Sequence, residues 1–323
     1  MFAGMKQIAE KPRVRKEWEL EQVFREGGPF FHLHTKPLES VIFISDEERA
    51  VALVYIAIAA ETVGVEVLAY ALMSNHFHFI LRGRKDWCKA FYREFETMLS
   101  LYFSRHGRPG VLKKIGEPGV VAINSLKQFR DEVAYVIRNP FVVRVDVNPL
   151  AYPWCSGFLY YNPLLSWMKE ISSDVLTLRE KRELAHAREV RLPVGLTLVD
   201  GKVFPGSFVN YRLVESMFAN ARQFMAWVFK NVEAQVETAL RLGEKPSLTD
   251  DDLLSVSLRL CKNQYGVKGP SSLTDEQKYA LAKQLKYDYY ASNGQVARFT
   301  GLSIRTVDAL FPMTAKGSSS YKA

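Results

Sequence analysis

The sequence predicts an α+β protein, in which an antiparallel sheet with helices on one face precedes a mainly α-helical C-terminal region. Strand-like and helical stretches alternate between residues 30 and 138, around a two-strand hairpin at residues 65–82. The stretch at residues 125–138 repeats apolar side chains at helical spacing. Beyond residue 165, charged helix-forming sequence predominates, interrupted by one short hairpin.

Each element has a local signal. An acidic turn at Asp46 predicts the start of a helix that Gly64 ends, and Pro140 is expected to end the later helix at Asn139. A turn at Ser74 joins the two strands of the hairpin. The predicted strands cover residues 30–35, 65–72 and 76–82, and the predicted helices cover residues 46–63, 87–105 and 125–138.

The length of 323 residues suits two or three domains. Residues 1–165 are expected to form the sheet domain, and residues 166–245 a connecting region with a hairpin and a long helix. Residues 246–313 are expected to form a helical domain, and residues 314–323 a disordered tail.

The most informative motif is a pair of histidines, His76 and His78, separated by one apolar residue in a strand-forming run. Side chains alternate between the faces of a strand, so both imidazoles are expected on one face, with Phe77 and Phe79 on the other. Two imidazoles side by side on a rigid strand form a ready pair of metal ligands. The alternative is a coincidental pair, one member of which is an ordinary core histidine.

A second motif lies in the predicted helix at residues 125–138. Tyr135 and Asn139 are four residues apart, so they lie on one face of that helix. The last turn could therefore offer a phenol and an amide oxygen to a site begun by the two histidines. Tyr135 would then be the nucleophile, and Asn139 the third ligand.

The chain resembles the single-tyrosine HUH transposases, in which HUH denotes His-hydrophobic-His, through Met73-Ser-Asn-His-Phe-His78 and Tyr135-Val-Ile-Arg-Asn139-Pro140. More narrowly it resembles the REP-associated tyrosine transposase branch. That branch carries a downstream Tyr-Pro-Trp-Ser stretch, which here reads Tyr152-Pro-Trp-Cys-Ser156. The resemblance covers residues 28–160. It departs from the family at Ile137, where a histidine is frequent, and at residues 141–144.

The resemblance implies a ferredoxin-like or RRM-like sheet and an enzyme that transfers DNA strands. His76, His78 and Asn139 would hold one Mg²⁺ or Mn²⁺ ion with open positions for a scissile phosphate. The oxygen of Tyr135 would attack phosphorus, giving a covalent 5′-phosphotyrosine and a free 3′-hydroxyl. The residues alone identify no general base for the tyrosine.

A second His-x-His, formed by His32 and His34, lies on the first predicted strand and competes for the role of ligand pair. It ranks lower because the resemblance assigns the metal pair to the later strand.

The charge of the chain favours a nucleic-acid partner. The formal net charge is +8, and residues 82–144 contain thirteen Lys or Arg against six Asp or Glu. Phosphate backbones are the natural partner of such a surface, although a merely soluble basic face is the alternative.

Residues 295–310 have the spacing of a helix-turn-helix. Gly301 permits the positive φ of the turn, and Ser303 would cap the second helix. The exposed face of that helix would carry Arg305 and Thr306 toward base edges or phosphates. The alternative is an ordinary helical hairpin. Together with the basic stretch, this gives as candidate DNA contacts Arg82, Arg84, Lys113, Lys114, Arg138, Ser303, Arg305 and Thr306.

The expected partner is DNA, single-stranded at hairpins or palindromic repeats and duplex at the C-terminal unit. Three widely spaced cysteines predict a reducing compartment, and the resemblance implies the bacterial cytoplasm with association to the nucleoid. No apolar run has the length of a membrane span, and monomer and homodimer remain open.

Three functions are compatible with the sequence. The favoured one is a metal-dependent tyrosine endonuclease and transposase, because all four of His76, His78, Tyr135 and Asn139 are present. The second is a catalytically silent, sequence-specific DNA-binding regulator that uses the helix-turn-helix. The third is an RNA- or DNA-binding module with a structural metal.

Overall fold

A computed structural model describes residues 15–38, 40–143, 148, 150–188, 191–230 and 232–312, with the backbone alone at 141–143 and 230. The chain divides into two compact units, Met1–Asn231 and Val232–Ala323, called here the N-terminal and C-terminal units. The division predicted at residues 165 and 245 stays a prediction about independently folding domains. The disordered tail expected at residues 314–323 lies outside the described residues.

The N-terminal unit mixes helices and strands. Its helices are α1 (Glu17–Gly27), α2 (Asp46–Val63), α3 (Lys85–Arg105), α4 (Leu126–Val143), α5 (Leu178–Ala185), α6 (Tyr211–Ser216) and α7 (Ala221–Lys230). Its strands are β1 (Phe30–His34), β2 (Glu66–Leu72), β3 (Phe77–Arg82), β4 (Gly119–Ile123), β5 (Ile171–Ser172), β6 (Thr197–Val199) and β7 (Lys202–Val203).

The first four strands form one antiparallel sheet in the order β2-β3-β1-β4. Helix α2 connects β1 to β2, and α3 connects β3 to β4, so the connectivity is β-α-β-β-α-β with the ferredoxin-like strand order. The predicted α+β class is therefore confirmed. In this order the two central strands, β1 and β3, carry His32, His34 and His78, and His76 directly precedes β3.

The expectation of helices on one face only is wrong. On one face, the sheet packs against α2 and α3 through a core that includes Phe31 and Phe79. On the other face, Phe30 and Ile80 pack against α4 through Phe129. Strands β1 and β3 carry large apolar side chains on both faces of the sheet, so both faces must pack against other elements to bury those side chains.

Helix α4 begins after Ser125, whose hydroxyl accepts from the backbone N–H of Gln128 at 3.1 Å, and it continues beyond the predicted end. Pro140 lies inside the helix. A proline lacks the N–H that would bond the carbonyl four residues earlier, here that of Val136. The thiol of Cys155 approaches this carbonyl oxygen at 3.9 Å and offers a weak substitute donor. Tertiary contact thus accommodates the proline that was expected to terminate the helix.

The downstream Tyr-Pro-Trp-Cys-Ser stretch covers the open edge of the sheet. Residues 152–160, called here the edge segment, run beside β2. The hydroxyl of Ser156 accepts from the backbone N–H of Tyr70 at 3.1 Å, and the carbonyl of Trp154 accepts from the N–H of Leu72 at 2.9 Å. The Tyr160 hydroxyl donates to the carbonyl of Leu68 at 2.6 Å. These bonds satisfy an edge strand that would otherwise present unpaired backbone groups.

Beyond the edge segment, strands β5, β6 and β7 form a second small sheet. The predicted hairpin is present, and Asp200 and Gly201 both have positive φ in its turn, as tight hairpin turns require. Within the charged stretch beyond residue 165, helix α5 is short, because Thr177 caps its start and His186 ends it with φ 46°.

The C-terminal unit is helical in its described part. It comprises α8 (Val232–Arg241), α9 (Asp250–Tyr265), α10 (Asp275–Tyr287), α11 (Asn293–Thr300) and α12 (Ile304–Leu310). Its own core joins these helices through Leu253, Leu281, Val296 and Val307. Among the helices of the described residues, none combines the length and apolar character that crossing a bilayer demands.

Candidate active site

The face of the sheet that packs against α4 carries four histidines. The register of β1 against β3 places His34 opposite His78 and His32 opposite Ile80, so all three imidazoles point to one side. His76 lies just before β3, and its ring centroid is 4.9 Å from that of His78. All four histidines are buried. The two His-x-His motifs therefore form one cluster and are not separate rival sites.

Helix α4 presents a polar stripe to this cluster. Glu132, Tyr135 and Asn139 recur at spacings of three and four, so they lie on one face of the helix. The Asn139 side-chain nitrogen lies 3.1 Å from Nε2 of His78. The Tyr135 ring centroid is 5.6 Å from that of His78 and 6.3 Å from that of His32. The structure thus brings together all four residues assigned to catalysis.

His78 is the centre of the arrangement. Its Nδ1 lies 3.1 Å from Nε2 of His32, and Nδ1 of His32 lies 2.6 Å from a carboxylate oxygen of Glu132. Burial, followed by the nearby His76, His32 and His34, lowers the pKa of His78 well below its usual value. A neutral His78 keeps a lone pair for a metal, because protonated imidazole cannot coordinate one.

His76 is held by its own turn. Its Nδ1 lies 2.8 Å from the side-chain oxygen of Asn75, whose amide nitrogen donates to the carbonyl of Leu38 at 2.7 Å. This bond orients the ring as outer hydrogen bonds orient metal-binding histidines. A metal bound by His76 would therefore use Nε2.

The donor set fits a divalent cation. Two ligand atoms about 2.1 Å from an octahedral ion, at right angles, lie about 3.0 Å apart. The 3.1 Å between Nε2 of His78 and the Asn139 amide is close to that separation. Turning the amide about its axis would present the oxygen in place of the nitrogen. Within the described residues, no three His, Cys, Asp or Glu side chains are arranged around a common metal position.

The basic residues proposed for DNA contact lie in different environments. Lys113 and Lys114 are exposed, and Lys114 borders an open pocket of about 460 Å³ with Pro37 and Leu38. The backbone of Leu38 bonds that of Asn75, next to His76, so this pocket adjoins the histidine turn.

Arg82, Arg84 and Arg138 differ from these lysines. Arg82 pairs with Glu66 at 3.0 Å. Arg84 is exposed and lies over the ring of Trp87. Arg138 is only 1% exposed and donates to the carbonyl of Val228 at 3.1 Å, so it packs inside the protein in this conformation, and the DNA contact expected of it stays a prediction.

In the C-terminal unit, α11 and α12 are joined by a turn at Gly301, which has φ 72°. The hydroxyl of Ser303 accepts from the backbone N–H of Thr306 at 3.1 Å and so caps α12. Arg305 is exposed, and Thr306 is half-buried. This geometry provides two helices and an exposed arginine, and its use on DNA stays a prediction.

Glu132 was missed by reasoning from the sequence. The signal was present: Gln128, Glu132, Tyr135 and Asn139 follow one another at spacings of three and four along the helix and so share one face. A buried carboxylate on the tyrosine side of that helix could have been paired with one of the four strand histidines. Which histidine it contacts depends on the strand register, which a sequence pattern does not fix.

Comparisons with known proteins add one finding. No family model and no curated protein matches the sequence. Among solved structures, a REP-associated tyrosine transposase bound to a REP hairpin is similar with a TM-score of 0.32 and 17% sequence identity, over 41% of this chain and 78% of that one.

Proposed function

We propose that the chain is a metal-dependent endonuclease and strand transferase that acts on single-stranded DNA at hairpins. The observation that carries the proposal is the juxtaposition, on one face of the sheet, of the half-buried Tyr135 phenol, the buried His78 imidazole and the half-buried Asn139 amide. A nucleophile, a metal-ligand pair and a third oxygen donor within contact distance are the parts that metal-assisted phosphoryl transfer needs.

The reaction would consist of one balanced displacement. The Tyr135 oxygen loses its proton and forms a bond to phosphorus, while the bond from phosphorus to the 3′-oxygen breaks and that oxygen takes up a proton. The downstream strand is then linked through its 5′-phosphate to Tyr135. Attack by another 3′-hydroxyl reverses the same step and transfers the strand without ATP. A Mg²⁺ or Mn²⁺ ion held by His76, His78 and Asn139 would polarise the phosphate.

The remaining contribution of the chain is positioning. The Tyr135 ring packs against the rings of His78 and His32, which restricts its rotation before DNA arrives. Lys113 and Lys114 would hold the phosphate backbone beside the pocket that adjoins His76. The enzyme would act in the bacterial cytoplasm, with DNA as its partner.

The test uses a pool of DNA hairpins with randomised single-stranded flanks. One sample is labelled at the 3′ end and another at the 5′ end, and each is incubated with the protein and Mn²⁺ and run on a denaturing gel. The proposal expects the 3′ label to migrate with the protein and the 5′ label to appear in a shortened free strand. A covalent band carrying the 5′ label, or no covalent band with either label, contradicts it. Chelation with EDTA should abolish the band.

A second function is a DNA-binding regulator that no longer cleaves. The exposed Arg305 on the capped helix α12 favours it, because this is the side chain a recognition helix would offer to DNA. Such a protein would bind duplex sites through the C-terminal unit and give no covalent band.

A further inference from the structure

We infer that Glu132 and His32 are positioning residues that fix the orientation and proton position of His78. This inference rests on the proposed function and assigns a role to two residues that do not themselves contact the DNA or the metal. The three side chains come from α4, β1 and β3, and all of them are fully buried.

The hydrogen bonds determine where each proton lies. A carboxylate can only accept, so Nδ1 of His32 carries a proton and donates to Glu132 at 2.6 Å. The amide nitrogen of Asn139 can only donate, so Nε2 of His78, 3.1 Å away, accepts, and Nδ1 of His78 carries the proton and donates to Nε2 of His32 at 3.1 Å. Nε2 of His78 is left with its lone pair, on the side of Asn139. A metal can bind His78 through Nε2 only in this tautomer.

The same bonds decide between the two His-x-His motifs. His32 has Glu132 at one nitrogen and His78 at the other, so it lies behind His78 as an orienting group and is not placed as a ligand. Glu132 also ties α4 to β1 one turn before Tyr135. The contact therefore sets the position of Tyr135 against His78 as well.

A purely structural explanation is weaker. The surrounding face is apolar, with Phe30, Ile80, Phe129 and Val133 in its core. Burying a carboxylate beside an imidazole costs desolvation, and apolar residues of similar volume often stabilise a protein as well or better. The burial of Glu132 beside His32 is explained more directly by its effect on the orientation and proton position of His78.

The first experiment uses the metal-free wild-type protein with ¹⁵N-labelled histidine. The chain has six histidines, which makes long-range ¹H–¹⁵N spectra tractable, and a His78→Asn variant assigns the signal. The expected result is His78 with its proton on Nδ1. A proton on Nε2 overturns the inference. This measurement needs neither cleavage nor any variant of the positioning residues.

The second experiment compares two substitutions of His32 by calorimetry with Mn²⁺. The amide of His32→Gln can donate to Glu132 and accept from His78, so it mimics both bonds of the imidazole, whereas His32→Leu makes neither. Affinity should stay within about threefold of wild type in His32→Gln and fall about 10–100-fold in His32→Leu. His106→Leu, outside the cluster, should leave affinity unchanged.

The outcomes separate this inference from the proposed function. Equal Mn²⁺ affinity in His32→Gln and His32→Leu, whether retained or lost, overturns the positioning role. If His32→Leu does not fold, Glu132→Gln replaces it and should weaken Mn²⁺ binding; unchanged affinity there counts against the inference. If the wild-type protein gives no covalent DNA band, the proposed enzymatic function is wrong, but the measured tautomer of His78 is unaffected.

Discussion

His78 lies at the centre of the candidate site. It faces His32 through one nitrogen and Asn139 through the other, and the rings of His34, His76 and Tyr135 surround it. Because burial lowers its pKa, the ring is neutral at neutral pH and able to bind a cation. The site therefore depends on this side chain for both its shape and its chemistry.

Substitution of either proposed histidine ligand should abolish metal binding and cleavage together. In His76→Ala or His78→Ala one ligand is lost, and metal affinity falls steeply when a ligand is removed. Calorimetry with Mn²⁺ measures this, with His106→Ala as the matched control at an exposed histidine. Wild-type affinity in both variants would move the metal to other residues, with His34 examined first.

The basic residues of the N-terminal unit should divide into two classes. Lys113→Ala and Lys114→Ala should weaken DNA binding and reduce its salt dependence, without loss of stability, because both side chains are exposed. Arg138→Ala should lower the free energy of unfolding by about 1–3 kcal/mol, since it leaves the Val228 carbonyl without its donor. Salt titrations of DNA affinity and denaturant unfolding measure the two effects. A normal stability with weakened DNA binding in Arg138→Ala would mean that this arginine reaches DNA after all.

At the scale of elements, we expect the edge segment to stabilise the sheet. The hydroxyl of Ser156 accepts from the Tyr70 backbone inside the molecule, where water cannot replace it. Ser156→Ala should therefore lower the free energy of unfolding by about 1–3 kcal/mol. Denaturant unfolding is the measurement, and Ser166→Ala is the control, because Ser166 is exposed. Equal stability of both variants would show that the edge segment does not secure β2 in this way.

Elements with strong local signals are predictable from the sequence. The bounds of α2 match the prediction because Ser45 caps its start and Gly64, with φ 80°, ends it. The end of α4 is not predictable in the same way, since the helix continues through Pro140, and the Val136 carbonyl that this proline cannot bond lies 3.9 Å from the thiol of Cys155. At this position a tertiary contact outweighs the tendency of proline to end a helix.

The candidate site likewise has contacts that the sequence predicts and contacts that it does not. The spacing of His76 with His78, and of Tyr135 with Asn139, indicates in each case two side chains on one face of one element. The contact of Glu132 with His32 joins α4 to β1 across a sequence separation of 100 residues. Local periodicity carries no information about that register, so the positioning residues emerge only from the fold.

At the scale of the whole molecule, we expect the N-terminal unit to cleave DNA and the C-terminal unit to bind duplex DNA. Truncation after Asn231, where the compact units separate, should leave a protein that still cleaves single-stranded hairpins but binds duplex-flanked sites more weakly. Arg305→Ala should weaken duplex binding by about 1–3 kcal/mol if the arginine reads a base, and by less if it touches a phosphate. Gel-shift titrations on both substrates measure this.

If the protein is a DNA-binding regulator and not an enzyme, the opposite results are expected. All specific binding would be lost on truncation, and there would be no cleavage to preserve. Equal duplex affinity before and after truncation would show instead that α11 and α12 serve packing and not DNA recognition.

We propose that Tyr135, one of 15 tyrosines in the chain, is the nucleophile. The covalent DNA band can be digested with protease and nuclease and its modified peptide identified by mass spectrometry. The predicted result is a nucleotide linked through its 5′-phosphate to Tyr135, with no band in Tyr135→Phe and DNA binding unchanged, because only the phenolic oxygen is removed. A nucleotide on another tyrosine, or a wild-type yield of the band in Tyr135→Phe, would contradict the account.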